Sequence, residues 1–420
     1  MAMRVPSAAV TDRVLTENCM SREGSVGGMG AEADVVVVGL GALGSSAAYW
    51  SVRRGLKVIG LEQFELGHVR GASHDHSRII RRSYNTAHYV RLTADAYSAW
   101  RSLEADAGEQ LLTITGGVDL FPAGSFIDPH TYTAALTTAR VPFEWIDSAE
   151  IRRRWPVFAQ GSLMHGDVMG IATDGAGIAP AARGTAAMQR MAVQHGADLR
   201  ANTPVRSLRV VGGEVEVVTD SGVIRAGHAV VTTDAWSAKL LRTVGVELPM
   251  MVTREQLSYF PHADLDRFAV GRMPVWIWMD DPAFYGFPVY GDTTAVKAAE
   301  DCGGPEVDAD TRTFEPDATM QRRLADFMTA MFGDGFGEPR SATCLYAMTS
   351  DRDFLLDTLP GLPQVSAALG SGHGFKFAAW FGRRLADIAA GERGPDHDIA
   401  PFSFSRPALH EPIDRANWMV

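Results

Sequence analysis

Asp34-Val35-Val36-Val37-Val38-Gly39-Leu40-Gly41-Ala42-Leu43-Gly44 is the most informative run in this chain, and its architecture follows from it. Val35 to Val38 are a β-branched run suited to a strand buried on both faces in a parallel sheet. Gly39, Gly41 and Gly44 then supply the G-x-G-x-x-G turn that joins such a strand to a helix. Gly39 permits the tight turn, Gly41 lets a pyrophosphate approach the backbone, and Gly44 lets the helix pack closely on the strand. The helix N-terminus offers free N–H groups and the positive end of its dipole, where phosphate is stabilised. Lys57-Val58-Ile59-Gly60-Leu61 reads as a second strand ending at Glu62, at the distance where a carboxylate accepts ribose hydroxyls and disfavours a 2′-phosphate. The spacing predicts a dinucleotide-binding βαβ unit, and the fingerprint by itself does not separate NAD from FAD.

At 420 residues the chain exceeds what one core usually holds, so two domains are expected. Hydrophobic residues at 46% and charged ones at 21% belong to a globular protein, and no apolar run reaches a membrane span. A net charge of -11, spread along the chain, argues against nucleic acid as a partner. Arginines cluster at 78–82 and 152–154, where a local anion site and a solvated helix face are the two readings. Cys19, Cys302 and Cys344 are an odd set without metal-ligand spacing, which suits a reducing cytoplasm and predicts no metal site. Residues 1–32 lack the apolar core of a signal peptide and read as a disordered leader, with Met29 an alternative initiator.

Residues 86–106 read as a helix, with Tyr89, Leu92, Ala96, Trp100 and Leu103 at three- and four-residue steps. A second helix is predicted from Ile178 to His195, with Pro180 near its start. Strands are predicted at 113–121, 197–199, 205–210, 215–218 and 229–232. From Leu248 to Tyr346 the chain becomes short aromatic-rich runs broken by Pro, Gly and Asp, the composition of an antiparallel sheet. A strand at Val365 to Leu369 then leads through Gly370-Ser371-Gly372-His373-Gly374 to a helix over 375–390. This second glycine-rich strand-to-helix turn predicts that the late segment rejoins the nucleotide domain.

Several blocks in one order resemble the monomeric sarcosine oxidase and N-methyltryptophan oxidase family, FAD-dependent amine oxidoreductases of the D-amino-acid oxidase superfamily, with L-pipecolate oxidase a close relative. The resemblance runs from about Asp34 to Leu409. It is carried by the fingerprint with Leu61-Glu62, by His74-x-x-Ser77-Arg78-Ile79-Ile80-Arg81, and by Arg153-Arg154-Trp155-Pro156. Asp234-Ala235-Trp236, Tyr285-Gly286-Phe287-Pro288, Lys297 and Cys344-Leu345-Tyr346 follow, then Gly372-His373-Gly374-Phe375-Lys376 and Phe402-Ser403-x-Ser405-Arg406-Pro407. It implies an α/β fold: a Rossmann-like FAD-binding domain at 33–112, 178–247 and 350–410, interleaved with an α+β substrate domain on a mixed or antiparallel sheet at 113–177 and 248–349. Residues 411–420 would form a tail.

The resemblance implies FAD as cofactor, held by Gly39, Gly41, Ala42, Leu43, Gly44, Glu62, Gln63, Ser73, Ser77 and Arg78. Val205, Trp236 and the Gly372 to Lys376 turn, with His373 and Phe375, are implied beside it. Cys344 matches the cysteine that carries flavin through an 8α-thioether. Arg81 and Lys376 match a carboxylate clamp, for which a guanidinium supplies the fork geometry. Lys297 matches a lysine that helps reduced flavin react with oxygen, since a fixed cation stabilises developing superoxide. His74 and His373 lie in glycine-rich turns expected beside the isoalloxazine. Tyr285 and Tyr346 match aromatic residues around the amine, whereas Trp276 reads as core. Asp301 departs from the pattern: relatives have a histidine in the substrate site there. An acid would favour the charged amine, and hydride loss requires the neutral one, so either the substrate differs from sarcosine or Asp301 turns to solvent.

The implied reaction is oxidation of a secondary or N-methylated amino acid, with hydride passing to flavin, imine hydrolysis, and oxygen reduced to hydrogen peroxide by a monomeric enzyme. Open alternatives are a flavin dehydrogenase, an oxidase of cyclic or fructosyl amino acids, an NAD-dependent dehydrogenase and an inactive flavin-binding protein.

Overall fold

The computed structural model describes residues 31–392 and 399–418. The predicted leader up to Gly30, with Met29 and Cys19, lies outside the described residues. Ala33–Val38 is the pivot of an eight-stranded sheet, parallel on one side to Val58–Leu61 and on the other to Gly222–Val231. Beyond Val58–Leu61 lies Asp198–Arg200, also parallel. Gly222–Val231 continues outward as an antiparallel meander with Glu214–Thr219 and Val205–Val211. At its other end it pairs in parallel with Leu362–Leu369, which places the late strand in the sheet of the first one.

The alternation of a strand explains why four valines stand in a row. Val35 and Val37 pack into a core shared with the helices Ala42–Arg53, Ala181–Gln194 and Ala378–Ala389. Val36 and Val38 face the opposite way, against Val215, Val217 and Leu240. All four are buried, and each contributes roughly 1.5–3 kcal/mol of transfer free energy.

A second eight-stranded sheet runs Arg340–Met348, Met251–Phe260, Val296–Glu300, Phe284–Gly286, Val275–Trp278, Gly117–Pro122, Val168–Thr173, Glu144–Asp147. It is antiparallel except where Val275–Trp278 meets Gly117–Pro122 in parallel, so it is mixed. Composition alone had suggested only strands across 248–346, yet Ala318–Phe332 is a helix. Asp317 caps it by accepting the Thr319 and Met320 N–H groups, and Leu324, Met328 and Met331 bury against the sheet. Trp276 is core, as its sequence context suggested: it is fully buried and stacks on Phe327.

Three local expectations need correction. The helix expected from Ile178 begins at Ala181, because Ile178 and Ala179 pair as strand with Ile79 and Arg78 in a small third sheet. The helix expected from Phe375 begins at Ala378, after a 3-10 turn over Gly374–Phe377. The segment read as a tail turns inward at Arg415–Trp418, where Trp418 is buried and its indole donates to the Thr349 carbonyl. The arginines at 153 and 154 lie on a partly solvated helix face and pair with Glu150 and Glu144. Among the described residues, no helix is long and apolar enough to cross a membrane, and no group of His, Cys, Asp and Glu is disposed to hold a metal.

Candidate active site

The glycine turn is shaped by what surrounds it. Gly39 has φ +89°, and a Cβ there would meet the Thr232 carbonyl oxygen at 2.7 Å. A Cβ on Gly44 would lie 1.8 Å from the Gly39 carbonyl oxygen, so the helix can start this close to its strand only with glycine. Ser73 Oγ accepts the Ala42 N–H at 2.9 Å and joins the turn to the loop over it. Glu62 is held by two backbone donors, Leu40 N–H at 2.8 Å and Phe64 N–H at 3.1 Å. A carboxylate has about four lone-pair sites, so Glu62 keeps acceptor capacity for ribose hydroxyls.

From this turn a cavity of about 390 Å³ extends into the space between the two large sheets. Its wall carries Gly39, Gly41, Ala42, Leu43, Glu62, Gln63 and Ser73, then Val205 and Trp236. It continues through His74, Arg78, Arg81, Tyr285, Asp301 and Tyr346 to Gly372, His373, Gly374, Phe375 and Lys376. Of the residues singled out in the sequence, Gly44, Ser77, Lys297 and Cys344 lie behind this wall instead of in it. An open dinucleotide turn, an acid with spare acceptor capacity and an elongated cavity fit the adenosine diphosphate and ring portions of FAD.

One cluster gathers around Asp75, which the sequence did not single out. Asp75 has a left-handed backbone at φ +77° and its carboxylate accepts from Lys297 Nζ and, at 2.6 Å, from the Tyr259 hydroxyl. Burial works to raise this carboxyl, but Lys297 and Arg78 together hold it well below the usual range. Lys297 Nζ also donates to the Ser77 carbonyl at 2.7 Å, so its charge is satisfied internally. Burial pushes Lys297 down to about 8, against the opposing pull of Asp75. Arg78 donates to the carbonyls of Ala72, His74 and Ser77 and pairs with Asp75 at 3.3 Å, which locks the turn that precedes it. His74 is pushed down to about 4 by burial and by Arg78, so it is neutral at pH 7. Cys344 is buried, and burial pushes its thiol up to about 11 while Arg78 pulls the other way.

The second cluster holds the charges of the substrate end. Arg81 meets Asp119 at 3.4 Å and stacks over Tyr84. Lys376 Nζ donates to the His373 carbonyl at 3.0 Å and, among the described residues, forms no ion pair with a carboxylate. Burial first, then Arg81 and Arg352, push Lys376 well below its ordinary value. His373 Nε2 lies 3.1 Å from the Arg352 carbonyl, so Nε2 carries the proton and Nδ1 accepts from the Tyr84 hydroxyl. Burial raises the Tyr285 and Tyr346 phenols, which keeps both neutral. Asp301 neither stands bare nor turns to solvent: its Oδ2 accepts from Arg352 Nη2 at 2.6 Å inside the cavity wall. Arg352, like Asp75, is a functional-site residue that sequence reasoning missed. Nothing in Ser350-Asp351-Arg352-Asp353 marks it, since its partners are 51 and 66 residues away.

A profile described as FAD dependent oxidoreductase matches residues 34–388. Monomeric sarcosine oxidase of Bacillus sp. (strain NS-129) is 29% identical over 385 residues, 90% of this chain and 97% of that protein. N-methyl-L-tryptophan oxidase of Yersinia pestis (strain Pestoides F) is 30% identical, over 89% of this chain and 99% of that protein. Among solved structures, NikD, described as an unusual amino acid oxidase essential for nikkomycin biosynthesis, superposes with a TM-score of 0.79 at 27% identity. The match spans 88% of this chain and 97% of that one. The glycine turn, the cavity and these likenesses agree: the chain is an enzyme that belongs to the FAD dependent oxidoreductase family.

Proposed function

We propose that this enzyme oxidises a secondary or N-methylated amino acid, releasing an imine that hydrolyses in water, with oxygen as the electron acceptor. The observation that carries the reading is the pair of cations in the second cluster: among the described residues Lys376 bonds a carbonyl and pairs with no carboxylate, and Arg81 has one loosely placed carboxylate partner. Such a pair receives a substrate carboxylate and fixes the neighbouring carbon in one orientation. When bound, FAD supplies the hydride acceptor and the route of electrons to oxygen. Tyr285 and Tyr346, neutral and half-buried in the cavity wall, exclude water from the amine. Neutral His74 and His373 add no cation that would repel the positive charge developing on the substrate nitrogen.

The cofactor would lie along Gly39 to Leu43, Glu62, Gln63, Ser73, Val205 and Trp236, with its ring beside His74, Arg78 and the 372–376 turn. A division into a cofactor part (33–112, 178–247, 350–410) and a substrate part (113–177, 248–349) follows which residues enter each large sheet. Attachment of the flavin at Cys344 is part of the proposal, favoured by the cations Arg78 and Lys297 near the thiol. Acid precipitation tests it, and a yellow supernatant over a colourless pellet refutes it.

An anaerobic screen of sarcosine, N-methyl aromatic amino acids, pipecolate, proline and fructosyl amino acids, read as flavin bleaching, tests the function. Failure of every compound to bleach the flavin refutes it. A specific observation favours a second reading, a dehydrogenase: Asp75 already balances Lys297, which weakens the cation available to developing superoxide. Substrate-reduced protein that stays colourless in air and yields no peroxide would establish that reading instead.

A further inference from the structure

Arg352 is held from two sides. Its Nη1 donates to the carbonyl of Trp418 and its Nη2 to Asp301. The Arg415–Trp418 turn is itself anchored, through the Trp418 indole on the Thr349 carbonyl and Arg415 on the Gly304 carbonyl at 2.9 Å. The guanidinium therefore cannot swing into the cavity without breaking one of these bonds. It sits in a left-handed backbone at φ +60°, a conformation that costs a non-glycine residue free energy and persists only where the surroundings hold it.

The charges that meet at this end of the cavity are Arg81, Lys376 and Arg352 against Asp119 and Asp301. Arg78 lies outside this balance: it pairs with Asp75 and bonds three carbonyls, the charges that act on Lys376 are Arg81, Arg352 and Asp301, and Lys297 lies behind the wall. One positive charge is left over. We propose that Arg352 is a specificity-determining residue: by masking Asp301 it sets the cavity to accept one carboxylate, and so selects amino acids whose remaining substituents carry no charge. With Arg352 in place, Asp301 offers its free oxygen as a neutralised hydrogen-bond acceptor and does not trap an ammonium ion. This deepens the function proposed above and rests on its carboxylate clamp.

The test uses the oxidised holoenzyme and two ligands without an amine, propionate and malonate, with perturbation of the flavin spectrum as the readout of binding. The unaltered protein is expected to bind propionate more tightly than malonate. Arg352→Gln removes the mask and should weaken propionate by about tenfold, while Asp301→Asn leaves a second positive charge and should tighten malonate by about tenfold. The double variant restores the original balance and should return propionate to within about threefold of its starting affinity. Arg352→Lys keeps the charge and should keep propionate binding. If Arg352→Gln fails to fold, the malonate response of Asp301→Asn still decides the question. Propionate affinity indifferent to Arg352→Gln, or malonate affinity indifferent to Asp301→Asn, overturns the inference and leaves the clamp standing. Absence of any propionate binding to the unaltered protein sinks the clamp as well.

Discussion

Replacing Lys376 with methionine removes one ammonium while keeping an unbranched apolar stem of similar length. Nζ spends one of its three N–H bonds on the His373 carbonyl, which leaves two for a bound carboxylate. A hydrogen bond to a charged partner contributes about 1.5–3 kcal/mol, and the site is buried, so solvent screening reduces this little. At about 1.4 kcal/mol per decade, the substrate dissociation constant should rise roughly 10- to 150-fold. The limiting rate of flavin reduction should fall by less, because Arg81 still orients the carboxylate and the lost interaction serves ground state and transition state alike. Folding stability should not suffer: burial and two guanidiniums already disfavour the ammonium, so its removal relieves a cost. The assay is anaerobic stopped-flow reduction, which separates the apparent dissociation constant from the limiting rate, alongside thermal melting. An unchanged dissociation constant with a collapsed limiting rate would refute the reasoning, because it would place Lys376 in the chemistry and not in the clamp. The pH dependence carries the same sign. The ammonium form is required and its folded-state value is lowered, so carboxylate binding should weaken as pH rises, and should do so before the ordinary lysine range is reached.

Gly44→Ala places a methyl 1.8 Å from the Gly39 carbonyl oxygen and 2.4 Å from Thr232 Oγ1, so the variant should purify with little flavin and a lowered melting temperature, and a full flavin-to-protein ratio would contradict the turn geometry. Asp75→Asn leaves Lys297 and Arg78 without their shared buried carboxylate and should cost about 3–5 kcal/mol in urea unfolding; a loss under 1 kcal/mol would mean the pair is replaced by water. His74 and His228 are both pushed down to about 4, by burial in each case with Arg78 adding to it at His74. The unfolded chain therefore binds protons near pH 6.5 that the folded one refuses. Stability should be full above about pH 6.5 and fall toward pH 4, by on the order of 3 kcal/mol per histidine. His228→Gln should flatten that slope in urea midpoints measured across the range, and an unaltered slope would show that other groups cause it.

The parts of this protein legible in its sequence are those whose causes are local. Four consecutive valines, three glycines at fixed offsets and an acid after the next strand need no knowledge of distant residues, and each landed where the spacing put it. The helix over 86–106 was visible because its apolar steps lie within one element; the observed span is Ala87–Ala107. Ala318–Phe332 was missed although Asp317, Met320, Leu324, Met328 and Met331 mark a capped amphipathic helix, because the aromatic runs around it dominate the composition. Ile178 and Ala179 were assigned to a helix because their strand partners, Ile79 and Arg78, are remote in the chain.

Charge pairing is where local reading ran out. The sequence by itself determined an α/β protein with a glycine-rich strand-to-helix turn, an acid at the end of the next strand and a set of basic and aromatic residues matching one family of flavoenzymes. It did not reveal that Lys297 is balanced by Asp75, that Lys376 pairs with no carboxylate among the described residues, or that Asp301 is held by an arginine whose other anchor is the carbonyl of Trp418. Those facts were decided only when the two sheets closed on each other and the C-terminal turn folded inward. The effective charge of a buried side chain depends on the groups brought within a few ångströms of it in a low-dielectric interior, and chain order does not encode that distance.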